Sequence, residues 1–150
     1  MATYTFEING RPEHIDCDDG TTLLHLLRHE QGLIGTREGC SLEQCGACRV
    51  LVDGEPVFAC TARVQDLAGK AVETIESADP HLARLRAAFL DLNVGQCGFC
   101  LSGILISALH LLRNNPSPDR SNVQQALDGH LCRCGAHNRI IDAVLKAAAP

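Results

Sequence analysis

Eight of the nine cysteines in this 150-residue chain fall into two groups of four: Cys40, Cys45, Cys48 and Cys60, then Cys97, Cys100, Cys132 and Cys134. Thiols gathered in this way hold either disulfides or metal, and each dictates how the surrounding backbone must close. An odd count with C-x2-C and C-x-C pairs, and no basic-then-apolar leader at Met1, weighs against a secreted disulfide framework. Metal in a reducing cytoplasm is the expectation. The groups also divide the chain, because neither half is long enough to bury much apolar surface, and units of that size usually need a metal, a disulfide or a partner. Two small units stapled by their own centres are expected, over residues 1–78 and 79–150.

The pattern between the cysteines changes character at that boundary. Tyr4, Phe6 and Ile8 alternate with Thr5 and Glu7 as in a half-buried strand, and Asn9-Gly10 predicts a tight turn returning through His14 to Asp16. Thr21 or Thr22 caps a helix carrying Leu23, Leu24, Leu26 and Leu27, closed near Gly32. Residues 32–48 hold Gly35, Gly39 and Gly46 among three cysteines and read as a binding loop. A second hairpin is predicted over Arg49 to Val52 and Val57 to Ala59 around Asp53-Gly54, with a last strand from Val72 to Ile75. Beyond it Asp79-Pro80 is a helix start, and four helices follow: one through Leu82, Leu85, Phe89 and Leu92, one from near Cys97 to Arg113, one opened by Ser117-Pro118 and stopped at Gly129, and one carrying Ile140, Ile141, Val144 and Leu145. The fold class is α+β, with strands first and helices after.

The first cysteine group reads C-x4-C-x2-C with a lone fourth cysteine downstream, the spacing of plant-type 2Fe-2S sites. Two irons need two thiolates each, and glycines beside the ligands let backbone N–H groups reach the sulfurs and stabilise the reduced state. A structural zinc site more often uses two C-x2-4-C knuckles, and one is missing here. By spacing alone the second group, Cys97 and Cys100 with Cys132 and Cys134, admits zinc as well as a cluster. Both of its pairs are placed at helix starts, where free N–H groups and the helix dipole favour an anionic centre, and Arg133 adds positive charge.

The remainder of the composition is restrictive. A net charge of -5 with scattered basic residues leaves no nucleic-acid footprint. With no Trp and one Tyr there is no stacking platform for bases and no organic-cofactor box. The most apolar helix, around Leu101 to Leu112, is interrupted by Ser102, Ser107 and His110 and falls short of the roughly 20 residues a membrane span needs. Cys17 lies outside both groups and reads as a packed side chain. The seven histidines show no metal spacing; His130 and His137 bracket the last cysteine pair and read as packing or surface residues. Ser102 and Ser107 have no catalytic partners, and no residue of this chain is expected to be catalytic.

Four ordered segments, G-C-S-L-E-Q-C-G-A-C at Gly39 to Cys48, Cys60, G-Q-C-G-F-C at Gly95 to Cys100, and L-C-R-C-G at Leu131 to Gly135, make the chain resemble the small iron–sulfur subunit of the molybdenum hydroxylases, the xanthine oxidase family. The resemblance spans nearly the whole sequence. It implies a β-grasp ferredoxin-like domain, then a four-helix bundle, each with one 2Fe-2S cluster on its cysteine group. It further implies a large partner subunit carrying molybdopterin in its cytosine dinucleotide form, approached by Gln96 and Cys134, and a further partner with FAD or a cytochrome c haem. Electrons would leave molybdenum singly, pass the helical-half cluster, then the ferredoxin-like one, then reach the flavin or cytochrome. Where many relatives read C-R-C-T-G-Y, this chain has Cys132-Arg133-Cys134-Gly135-Ala136-His137 and looks more like the nicotinate and isoquinoline type. A structural zinc module and a free ferredoxin for an unrelated oxygenase are the alternative readings.

Overall fold

Alternation along the first strand decides which of its faces is buried. In the computed structural model, which describes residues 1–149 and so leaves Pro150 outside, β1 (Ala2–Ile8) turns Phe6 and Ile8 inward and Thr5 and Glu7 outward. Asn9 and Gly10, at φ of 51° and 80°, make a two-residue turn whose twist suits the flanking strands. β2 (Arg11–Cys17) returns antiparallel, with Ile8 opposite Arg11 and Ala2 opposite Cys17. Cys17 is buried in the core, as its packing role requires.

The Thr22 hydroxyl accepts the His25 N–H and caps α1 (Leu23–His25), which widens into a π-type turn over Leu26–Glu30. Together they bury Leu23, Leu24, Leu26 and Leu27, each worth about 1.5–3 kcal/mol when fully removed from water. After the cysteine loop come β3 (Arg49–Val52), β4 (Glu55–Phe58) and β5 (Ala71–Glu73). β4 lies earlier than the predicted Val57 to Ala59, because the tight Asp53-Gly54 turn pairs Val52 directly with Glu55. β5 stops at Glu73 rather than Ile75, since the Thr74 N–H is taken by the Asn9 side chain at 2.8 Å. The sheet order is β2-β1-β5-β3-β4, with β5 parallel to β1 and every other pairing antiparallel. This mixed sheet closes over α1 and gives the β-grasp its core.

The helical half opens where Asp79 accepts the N–H groups of His81 and Leu82, with Pro80 at the first position of α2 (Pro80–Asp91). α3 (Leu101–Asn114) begins at Leu101 rather than near Cys97, because Gly98, at φ 76°, turns the chain and leaves Cys100 as the N-cap. α4 (Arg120–Leu127) starts later than Ser117-Pro118 suggests, since Asp119 and Asn122 form a reciprocal capping box. α5 (His137–Ala148) buries Ile140, Ile141 and Val144. These four helices form a bundle, and Leu51 of β3 reaches into its core. Among the described residues no helix is long and apolar enough to cross a membrane.

Candidate metal centres

The first cysteine loop has no regular structure and bends tightly through Ser41, Glu43 and Gly46 at φ of 55°, 60° and 78°. That winding aims the N–H groups of Leu42, Gln44 and Cys45 at Cys40 Sγ, at 3.3, 3.3 and 3.4 Å. Those donors favour the thiolate and bring the Cys40 thiol down to about 7. Cys48 enters β3 from the buried side of the loop, and burial pushes its thiol up to about 12. Cys60 arrives just after β4, and the thiols meet in twos, Cys40 with Cys45 and Cys48 with Cys60.

The second group has the same plan on a different scaffold. Cys97 and Cys100 occupy the turn before α3, Cys132 and Cys134 the loop before α5, and the Sγ atoms of Cys97 and Cys134 lie 3.5 Å apart. The Phe99 N–H and then the Cys134 thiol bring the Cys97 thiol below its usual pKa and so favour its thiolate. Burial raises Cys100 to about 12, with the Cys132 thiol beside it. For Cys132, burial is outweighed by the N–H of Ala136 and further donors, so its thiol is lowered. Each group thus holds one buried thiol whose ionisation burial opposes, Cys48 or Cys100, and at least one that backbone N–H groups favour as thiolate, Cys40 in the first and Cys97 and Cys132 in the second.

A sulfide-bridged di-iron core takes two thiolates on each iron. The donor set of each group is all thiol, arranged as two adjacent pairs, and backbone N–H groups converge on Cys40 Sγ where thiolate charge would gather. The residues fit such a core. Among the described residues no three His, Cys, Asp or Glu groups converge on one point as ligands of a single ion would.

Gln96 and Cys134, named together by the resemblance, are neighbours: Gln96 Nε2 donates to the Cys134 carbonyl at 3.3 Å. Gln96 and Cys97 are exposed, as are Phe99 and Leu131 in the loops that carry this cysteine group. Arg133 is exposed between Cys132 and Cys134. His130 is buried, with Nε2 2.7 Å from Ser107 Oγ, and burial, then Arg49 and His137, lowers it to about 4, so it is a neutral core histidine. His137 Nε2 lies 3.0 Å from the His130 carbonyl oxygen. Sequence reasoning missed the seam where the Leu131 N–H donates to the Cys45 carbonyl at 3.0 Å and α3 presses on Gly46. Only the cluster of small residues at Gly46-Ala47 and Gly103 hints at it in the sequence.

A β-grasp joined to a helical bundle, with four thiols meeting in pairs in each, defines a two-centre iron–sulfur protein. Residues 6–83 match the 2Fe-2S iron-sulfur cluster binding domain family and residues 71–145 the 2Fe-2S binding domain family. The chain belongs to the small iron–sulfur subunits of the molybdenum hydroxylase family. It is 42% identical over 142 residues to the nicotine 6-hydroxylase small subunit of Paenarthrobacter nicotinovorans, covering 94% of this chain and 86% of that one. It superposes on quinoline 2-oxidoreductase from Pseudomonas putida 86 with a TM-score of 0.92 at 35% identity, covering 98% of this chain and 93% of that one. On the aldehyde oxidoreductase of Desulfovibrio desulfuricans ATCC 27774 the TM-score is 0.94 at 34% identity, over 99% of this chain but 17% of that longer one.

Proposed function

We propose that this chain is the electron-transfer subunit of a molybdenum hydroxylase acting on an N-heteroaromatic or aldehyde substrate. Cys40, Cys45, Cys48 and Cys60 hold one 2Fe-2S cluster in a unit over residues 1–78, and Cys97, Cys100, Cys132 and Cys134 hold another in a unit over 79–150. The observation that carries this reading is that each group sets its four cysteines in loops whose geometry serves thiolates, with three backbone N–H groups on Cys40 Sγ in the first and the Cys97 and Cys134 Sγ atoms 3.5 Å apart in the second. When bound, each cluster supplies a centre that takes up one electron at a time.

The chain's own residues place and tune those centres. N–H groups on Cys40 Sγ stabilise the more negative state, and burial of Cys48 and Cys100 opposes it, so the protein sets each potential by the balance of the two. The exposed residues Gln96, Cys97, Phe99 and Leu131 are where the large molybdopterin subunit docks, with Gln96 and Cys134 toward the pterin, carried in its cytosine dinucleotide form. The cysteine loop of the first unit, with Leu42 exposed at its tip, faces the FAD or cytochrome c partner. A thiol-rich chain of this kind belongs in the cytoplasm.

Iron and sulfide analysis of matured protein, with paramagnetic resonance after reduction, tests the reading. About four irons and four sulfides per chain, with two distinct signals, are expected. Colourless protein containing zinc alone would sink it in favour of a structural module. Purification without a large molybdopterin subunit, from cells expressing the neighbouring chains, would point to a free ferredoxin.

A further inference from the structure

We infer that His130 is a positioning residue that fixes the gap between the two clusters, by wedging the first cysteine loop against the helical half. This rests on the ligand reading above. His130 is 4% exposed and lies two residues before Cys132. Its Nε2 is anchored on Ser107 of α3, at 2.7 Å. Its Nδ1 is buried without a hydrogen-bond partner and faces Gly46, in the loop between Cys45 and Cys48, so closely that a Cβ added there would stand 2.4 Å away.

Gly46 is held from a second direction as well. A Cβ on Gly103 of α3 would stand 2.0 Å from the Gly46 carbonyl oxygen, so helix and loop touch backbone to backbone one turn beyond Cys100. Alongside, the Leu131 N–H donates to the Cys45 carbonyl at 3.0 Å. A ligand of one cluster is therefore joined to the residue next to a ligand of the other through one hydrogen bond. The His137 ring against the His130 carbonyl, at 3.0 Å, steadies the backbone from which the imidazole projects.

A hydrogen bond to Nδ1 is not what keeps the ring in place, since that atom has none. The Ser107 anchor and the shape of the ring do. Without them the loop carrying Cys45 can settle differently on the helical half, while all eight thiols keep their own scaffolds. Electronic coupling between two centres falls steeply with their separation, so a small shift here is read out as slower exchange of electrons.

The test uses the full chain with its clusters, as wild type and as His130→Ala, Ser107→Ala and His130→Gln. Iron is counted first: wild type without about four irons per chain would refute the ligand reading itself, before any variant is compared. Then two quantities are measured, the splitting from magnetic interaction between the reduced clusters and the rate at which an injected electron equilibrates between them. In both alanine variants iron stays full, the splitting weakens and equilibration slows severalfold. His130→Gln, which still reaches Ser107, recovers most of both. Unchanged splitting and rate in the alanine variants would overturn the inference. So would loss of iron from Ser107→Ala, because the contact would then serve to retain a cluster rather than to space two. If His130→Ala alone loses iron, Ser107→Ala decides.

Discussion

A methyl group at position 46 would meet the His130 ring at 2.4 Å and the Gly129 carbonyl at 2.9 Å, on a backbone already at φ 78°. Neither neighbour can retreat, since one is a ring anchored on Ser107 and the other is main chain. Gly46→Ala therefore combines the left-handed penalty with overpacking, and is expected to destabilise the loaded protein by about 2–5 kcal/mol. Gly54 provides the comparison, because it sits at φ 85° with nothing within 4 Å of an added Cβ. Gly54→Ala should lose only the conformational part, about 1–2 kcal/mol. Denaturant unfolding of the two variants side by side measures the difference, and equal losses would show that the seam does not confine Gly46.

At the scale of elements, one ion-pair node ties three of them together. Asp79 caps α2, its second oxygen accepts Arg113 Nη2 of α3 at 2.7 Å, and Arg113 grips Glu73 of β5 at 2.8 and 2.9 Å. Burial alone would raise the Asp79 carboxyl, but Arg113 and the N–H groups of Leu82 and His81 outweigh it and hold it below its usual 3.8. A carboxyl depressed by folding contributes stability that is fully present above its unfolded pKa and is lost as the pH falls through the folded one. Asp79→Ala should destabilise by about 1–3 kcal/mol near neutrality and make the acid limb of the stability curve shallower. Asp79→Asn keeps a capping oxygen and should recover part of the neutral-pH loss with the acid limb still shallow; an unaltered acid limb in both would remove Asp79 from the account. The cap was legible from Asp79-Pro80, because an N-cap acts over one turn. Arg113 was not, since it stands far along the sequence and only the packing of α3 on β3 brings it near. The same contrast runs through the metal centres: local spacing gave away both cysteine groups, while the pairing of Cys48 with Cys60, the late start of α3 at Leu101 and the wedge of His130 all depend on where loops land in three dimensions.

For the whole molecule, the two halves meet where α3 lies on β3 and Gly46, with Leu51 of the sheet inside the helical core. Gly103→Val would force the helix off the Gly46 carbonyl. It is expected to weaken the magnetic interaction between clusters while each half keeps its own iron, which iron analysis and resonance spectra of one sample can show together. The two groups also differ in what they offer a partner. Cys97 lies exposed next in sequence to the exposed Gln96, whereas Cys48 is buried and Leu42 of its loop is exposed. On the proposed reading, with one centre at each of two docking faces, electrons pass in series, so that losing the helical-half centre interrupts the route even when the other is intact. Cys100→Ser replaces a buried thiol of the second group by a harder, less acidic hydroxyl. In the assembled complex it should leave about two irons per chain and a single resonance signal from the ferredoxin-like centre. Substrate-driven reduction of the flavin or cytochrome should fall by at least about a hundredfold, the scale on which loss of a correctly placed reactive partner is felt. Undiminished acceptor reduction in a complex shown to lack the Cys97, Cys100, Cys132 and Cys134 cluster would mean that electrons bypass the helical half, and the serial order would have to be abandoned.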